Sequence, residues 1–170
     1  MKRIFLIALT GVLVASCSNE KKSEKQGKEI AALTLTDTKQ ELASLMEANR
    51  KWAKAASPED FFSFISKDAL MMPPDKGVIK GHEGIGKTLQ EFQSLPGFKI
   101  TWEPQEGFVS KAGDLGYTVD RILVNFDGED GKQVDVFEKG VTVWKKNESN
   151  EWKMVVDIWN VDPTIKSIFK

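Results

Sequence analysis

From Gly97 onward the apolar residues of this chain recur at about every second position, in four segments at 98–103, 115–126, 133–145 and 152–159. A period of two, broken by short polar turns such as Asp127-Gly128 and 147–150, specifies strands joined by hairpins. Upstream of Gly97 the period is that of a helix. Leu42, Leu45, Met46, Asn49, Trp52, Ala53 and Ala56 share a helical spacing behind the capping-box pattern Thr38-Lys39-Gln40-Glu41. Ser57-Pro58-Glu59-Asp60 restarts a helix whose apolar content is Phe61, Phe62, Phe64 and Ile65, and residues 81–94 predict a third with Ile85, Leu89 and Phe92 on one side. Between them, 68–72 predicts a short strand stopped by Pro73-Pro74, with 78–80 pairing back onto it. Helices first and hairpin-linked strands afterwards give an α+β layer fold.

Two details of the strands bear on shape. Between 115 and 126 the apolar positions are Leu115, Tyr117 and Val119, then Ile122, Val124 and Phe126, so the alternation slips near Asp120-Arg121 and predicts a bulge there. In the last strand Trp152, Met154, Val156 and Ile158 fall on one face, and Val155, Asp157 and Trp159 on the other. Both faces are expected to be largely buried, one against the helices and one against a second copy of the chain, which makes a homodimer the expected assembly.

The N-terminus carries Lys2 and Arg3, an apolar run from 4 to 15, and small residues before Cys17, the three parts of a secretory signal. The run of about a dozen residues is too short for a bilayer core that needs ~20. Val14-Ala15-Ser16-Cys17 resembles the lipobox of bacterial lipoproteins, in which the cysteine is acylated and becomes the new N-terminus. The expected organisation is a signal peptide at 1–16, a flexible charged tether at 17–36, a domain at 37–164 and a tail at 165–170. The resemblance implies a cell-envelope protein held by lipid on Cys17, on the periplasmic side or at the outer membrane.

Cys17 is the only cysteine, so no intramolecular disulfide can form. Without Lys2 and Arg3 the chain has 22 basic residues against 25 acidic, a formal net charge of −3, which offers no basic face to nucleic acid. His82 is the lone histidine and the acids lack metal-loop spacing, so neither a metal nor another cofactor is expected. His82, near a helix start, is expected to have a surface or capping role. Residues 81–88 formally spell a phosphate-loop pattern, but a parallel sheet should surround such a loop and antiparallel strands follow here.

The order of helices, short hairpin, helix and four strands resembles the cystatin-like cone of the SnoaL-like, ketosteroid-isomerase-like and nuclear transport factor two families. The residues that carry the resemblance are Asp68-Ala69-Leu70-Met71-Met72-Pro73-Pro74, Lys80-Gly81-His82-Glu83-Gly84-Ile85, Gly113-Asp114-Leu115-Gly116-Tyr117, and Val143-Trp144-Lys145-Lys146 with Glu151-Trp152-Lys153-Met154. It implies a strongly bent, mostly antiparallel sheet wrapped over three helices, with a pocket at the open end. Where steroid isomerases place their proton-shuttling aspartate, oxyanion tyrosine and second oxyanion acid, this chain has Pro73, Asn49 and Gly140, so that route of isomerisation is not expected. Trp159 matches a pocket tryptophan of that family, and in the same register Gly140, Thr142 and Trp144 point inward.

Asp157, between Val155 and Trp159, is the candidate catalytic residue: a carboxylate among tryptophans is desolvated and its pKa rises toward a useful range. The alternative is a rim position in contact with water or with Arg121. Asn49, Trp52, Met71, Tyr117, Thr142, Trp144 and Trp159 are the expected pocket residues, suited to a small apolar or aromatic ligand. Three readings follow: a membrane-tethered binding module, an isomerase-, dehydratase- or cyclase-like enzyme with Asp157 as general base, and a structural or interaction domain with a filled cone. A cavity of at least ~300 Å³ beside Asp157 and Trp159 would favour the first two.

Overall fold

A computed structural model describes residues 37–169. The expected signal peptide, Cys17 and the tether lie outside the described residues. Helix α1 is described over 37–53, α2 is Pro58–Ser63 and α3 is Gly81–Gln93. The strands are β1 (Ile65–Met72), β2 (Ile79–Lys80), β3 (Lys99–Val109), β4 (Leu115–Asp127), β5 (Gln133–Lys146) and β6 (Trp152–Val161). They form one six-stranded sheet in the order β2-β1-β6-β5-β4-β3, antiparallel except where β1 runs parallel to β6.

The helix α1 is already formed at residue 37, so Thr38 lies inside it and is not its cap. Its apolar face is the expected one: Leu45 and Trp52 are buried, and Asn49, the polar member of the stripe, is fully buried between them. Helix α2 is shorter than its apolar content suggested. Ser57 accepts from the Asp60 backbone N–H at 3.1 Å, Phe64 closes the helix, and Ile65 already opens β1. The phosphate-like pattern lies within the third helix, and His82 there contacts the Ile65 carbonyl at 2.9 Å and packs on Phe62.

The central pairing of β4 with β5 runs without interruption from Leu115 opposite Lys145 to Asp127 opposite Gln133. The bulge expected near Asp120 is not in β4. It lies across from that site in β3, where Pro104 faces Asp120 and Glu106 faces Val119, leaving Gln105 as the extra residue. A second bulge falls in β6, where Val143 faces Val156 and Trp144 faces Met154, leaving Val155 extra. These two bulges bend the strands that flank the continuous β4–β5 pair.

Each bulge also switches which residues face inward. In β6 Trp152 and Met154 are buried in the core, and beyond Val155 the inward residues become Asp157 and Trp159, while Ile158 is exposed. The inward face of this strand is therefore interior along its length, and the opposite face, expected to be covered by a second copy, is partly exposed in the single chain. The residues expected as a tail pack against the sheet: Ile168 is buried, its carbonyl accepts from Gln105 Nε2 at 2.9 Å, and the Ser167 carbonyl accepts from Arg121 at 3.2 Å. The compact unit therefore runs past 164.

Trp52 is the hub of the core. Its ring meets Trp102 at 5.0 Å and Trp144 at 5.6 Å, both edge-on, and Phe61 at 5.2 Å, the tilted geometries that the aromatic quadrupole favours.

Candidate functional site

Beneath this aromatic cluster three polar side chains from adjacent strands meet in the interior: Asp120 of β4, Thr142 of β5 and Asp157 of β6. Thr142 Oγ1 lies 3.0 Å from Asp120 Oδ2 and 3.0 Å from Asp157 Oδ1. Behind Asp120, Asn49 Nδ2 donates to Asp120 Oδ1 at 2.8 Å and to Thr118 Oγ1 at 2.7 Å, and Thr118 donates to Asp120 Oδ2 at 3.3 Å. Two indoles feed the network: Trp102 Nε1 donates to Asn49 Oδ1 at 2.7 Å, and Trp144 Nε1 donates to Thr118 at 3.3 Å.

The direction of these bonds follows from donor chemistry. An indole N–H only donates, which fixes the Asn49 oxygen toward Trp102 and turns its amide hydrogens to Thr118 and Asp120. Asp120 thus already receives two hydrogen bonds. Thr142 has a single hydrogen to give, yet both carboxyls lie within its reach. Both contacts are hydrogen bonds when one carboxyl is protonated, with Asp157 donating to Thr142 and Thr142 donating to Asp120. Burial pushes Asp157 up to about 7, with the charge on Asp120 adding to it against the Thr142 hydrogen bond. Burial likewise pushes Asp120 up to about 6, opposed by its bonds from Thr142, Thr118 and Asn49. Because Asp120 already accepts from Asn49 and Thr118 while Asp157 has only Thr142 beside it, the donor pattern places the shared proton on Asp157.

Both carboxyls line a chamber of about 70 Å³ with Thr142, Met71, Trp52, Trp102 and Trp159. An outer vestibule of about 370 Å³ opens beyond it between α1, α2, α3 and β3, and Trp52, Phe61, Leu89, Phe98, Ile100 and Trp102 border both spaces. The chamber falls short of the ~300 Å³ expected for a small-molecule site. An engineered cavity of ~150 Å³ admits benzene, so this one has room for a functional group and not for a ring.

Of the expected pocket residues, the structure brings Trp52, Met71, Thr142 and Trp159 to the chamber with Asp157. Asn49 and Trp144 stand one layer behind, in the hydrogen-bond network. Tyr117 does not join them: it is 42% exposed on the outer sheet face, stacked on Phe108 at 5.8 Å. The correction follows from the unbroken register of β4, in which Gly116, Thr118, Asp120 and Ile122 are buried and the odd-numbered residues face out. Arg121 is accordingly on the far face, bonded to Ser167 and not to Asp157. Asp120 and Thr118 were not anticipated. Their signal was the pair of polar residues at 118 and 120, two apart and so on one face of a strand.

A further carboxyl, Glu138, is buried four residues along β5 from Thr142. Its Oε2 has no partner among the described residues, and burial pushes the group up to about 7. No cluster of three His, Cys, Asp or Glu suited to a metal occurs among the described residues.

At the level of sequence no family model and no curated protein matches the chain. Solved structures do. A ketosteroid isomerase-like protein from Erwinia carotovora superposes with a TM-score of 0.63 at 15% identity, over 71% of this chain and 95% of that one. The domain has the NTF2-like cone fold. An NTF2-like family protein from Streptomyces avermitilis gives 0.60 at 13% identity over 75% and 99% of the two chains. A Catenulispora acidiphila protein in complex with S-DNPA gives 0.57 at 14% identity over 71% and 92%. In this cone fold the bent sheet forms the wall, and the Asp120–Thr142–Asp157 bridge lies on its inner surface.

Proposed function

We propose that this chain is a lipid-anchored, small-molecule-binding module of the SnoaL-like type, with the chamber and vestibule together forming the binding site. The reading is supported above all by the Asp120–Thr142–Asp157 bridge at the floor of an aromatic-walled space. Two desolvated carboxyls weaken a fold, and retaining them is reasonable where a ligand uses them. The vestibule alone has the volume of a ligand site. A ligand would lay an apolar or aromatic body there and send one small polar group past Trp52 and Phe61 to the carboxyls. The fold likeness to a ligand complex and to a ketosteroid isomerase-like protein is compatible with this use of the cone.

The experiment is mass spectrometry of molecules released from the purified full-length chain. A bound organic molecule lost in Trp159→Ala supports the reading, and a chain that carries none and takes up none from an extract of its host opposes it. Anchoring is tested by fractionation: Cys17→Ser should move the protein from the membrane to the soluble fraction.

A second reading, catalysis with Asp157 as proton donor and acceptor, is favoured by its displacement to about 7, where general acid–base groups operate. In that case Asp157→Asn would retain ligand binding while abolishing turnover. The outer sheet face, with exposed Phe108, Tyr117, Val141 and Ile158, is proposed as the contact between two copies.

A further inference from the structure

We infer that the ligand of this site is an organic cation: an ammonium group that enters the chamber between Asp120 and Asp157, carried on an apolar or aromatic body held in the vestibule. This rests on the binding reading above and adds the charge of the ligand to it.

The first observation is the sign of the charge around the space. Among the described residues no lysine, arginine or histidine lines the chamber or the vestibule, and the two charged residues that do line them are both acids. The neighbouring bases are already matched. Arg50 on α1 pairs with Glu103 at 2.8 Å, and Lys76, which covers the Phe92 ring, pairs with Glu91. Glu103 adds to the negative surroundings of Asp120, and Glu138 stands buried farther along β5 with one oxygen unpartnered. An anionic ligand would meet like charge from both acids, and a neutral one would leave the acids as they are. A cation replaces the shared proton and permits both carboxyls to ionise together.

The second observation is the wall. Trp52, Phe61, Phe92, Phe98, Trp102 and Trp159 line the chamber, and aromatic faces attract a desolvated ammonium through their quadrupoles. The third is an unmet donor. Trp52 is 4% exposed and lines both spaces, yet its buried Nε1 has no hydrogen-bond partner among the described residues. An ammonium cannot satisfy an N–H, so an acceptor atom on the ligand body is the partner this position asks for. The size of the chamber agrees, since it admits a head group and excludes a ring.

The test uses 2-phenoxyethylamine, whose ether oxygen offers Trp52 an acceptor, and phenyl propyl ether, in which a methyl replaces the ammonium. Binding to the full-length chain is followed by indole fluorescence and calorimetry at pH 8 and pH 5. The amine should bind at least about tenfold tighter than the ether at pH 8, and this preference should shrink severalfold at pH 5, where both acids are protonated. Asp120→Asn with Asp157→Asn should erase the preference and keep the ether bound. Equal affinities, or a tighter ether at pH 8, would overturn the cation and leave the binding site standing. Binding of neither probe, in a chain that also carries no molecule of its own, would overturn both.

Discussion

Asn49 ties α1 to the site, since through it the helix reaches Trp102 on β3 and Thr118 and Asp120 on β4. Asn49→Ala would leave the Trp102 N–H without an acceptor and Asp120 without one of its donors, in a place where water has little access. A loss of about 2–4 kcal/mol is expected, measured as a lowered urea midpoint, and a change below about 0.5 kcal/mol would mean that the network is not formed in solution. Asp157 acts in the opposite sense. An acid whose folded pKa lies above its unfolded value holds a proton that the unfolded chain has already released. For Asp157, moved from 3.8 to about 7, no stability is lost below about pH 4, stability falls as pH rises from about 4 to about 7, and the loss is complete above that. Asp157→Asn should therefore be more stable than the native chain at pH 8, by about 1–3 kcal/mol, with no such gain at pH 4. Thermal melts at the two pH values decide it, and a gain of equal size at both would contradict the assigned ionisation. At this scale the sequence was half legible. Asp157 and Trp159 could be found because they flank one another on an apolar strand, whereas Asp120 was hidden because the bulkier apolar residues beside it, Leu115 and Tyr117, face outward.

Among the elements, α1 and the β3–β4 pair approach unusually closely, and two glycines make room for it. A Cβ at Gly116 would stand 2.5 Å from the Phe108 carbonyl oxygen and 2.7 Å from Leu45 Cδ2, and one at Gly107 would stand 3.0 Å from Leu42 Cδ1. Gly116→Ala should destabilise by roughly 2–3 kcal/mol and displace α1, carrying Asn49 and Trp52 with it. Chemical denaturation together with the fluorescence of the Trp52 cluster reads both effects, and an unchanged midpoint would refute the close approach. Element types and order were plain in the sequence because the apolar period changes at Gly97. Bulge positions were not. A bulge is fixed by the partner strand as much as by its own residues, so a slip visible near Asp120 was realised across the pair at Gln105, and the one at Val155 left no mark in an apolar run.

For the molecule as a whole, the outer sheet face is the main unclaimed surface. Phe108 pairs across β3–β4 with Tyr117, Tyr117 with Val143, and Val143 with Val156, so an apolar row crosses four strands. Sedimentation should find a dimer, and Tyr117→Lys, at an exposed position, should give a folded monomer. A native chain that sediments as a monomer at high concentration would exclude this contact. The extra residue at Val155 has a consequence for how such a molecule can diversify. It divides β6 into a half whose inward groups, Trp152 and Met154, serve as ballast for the body, and a half whose inward groups, Asp157 and Trp159, border the hollow. The lining of that hollow can thus be rewritten in the second half while the first keeps the frame upright.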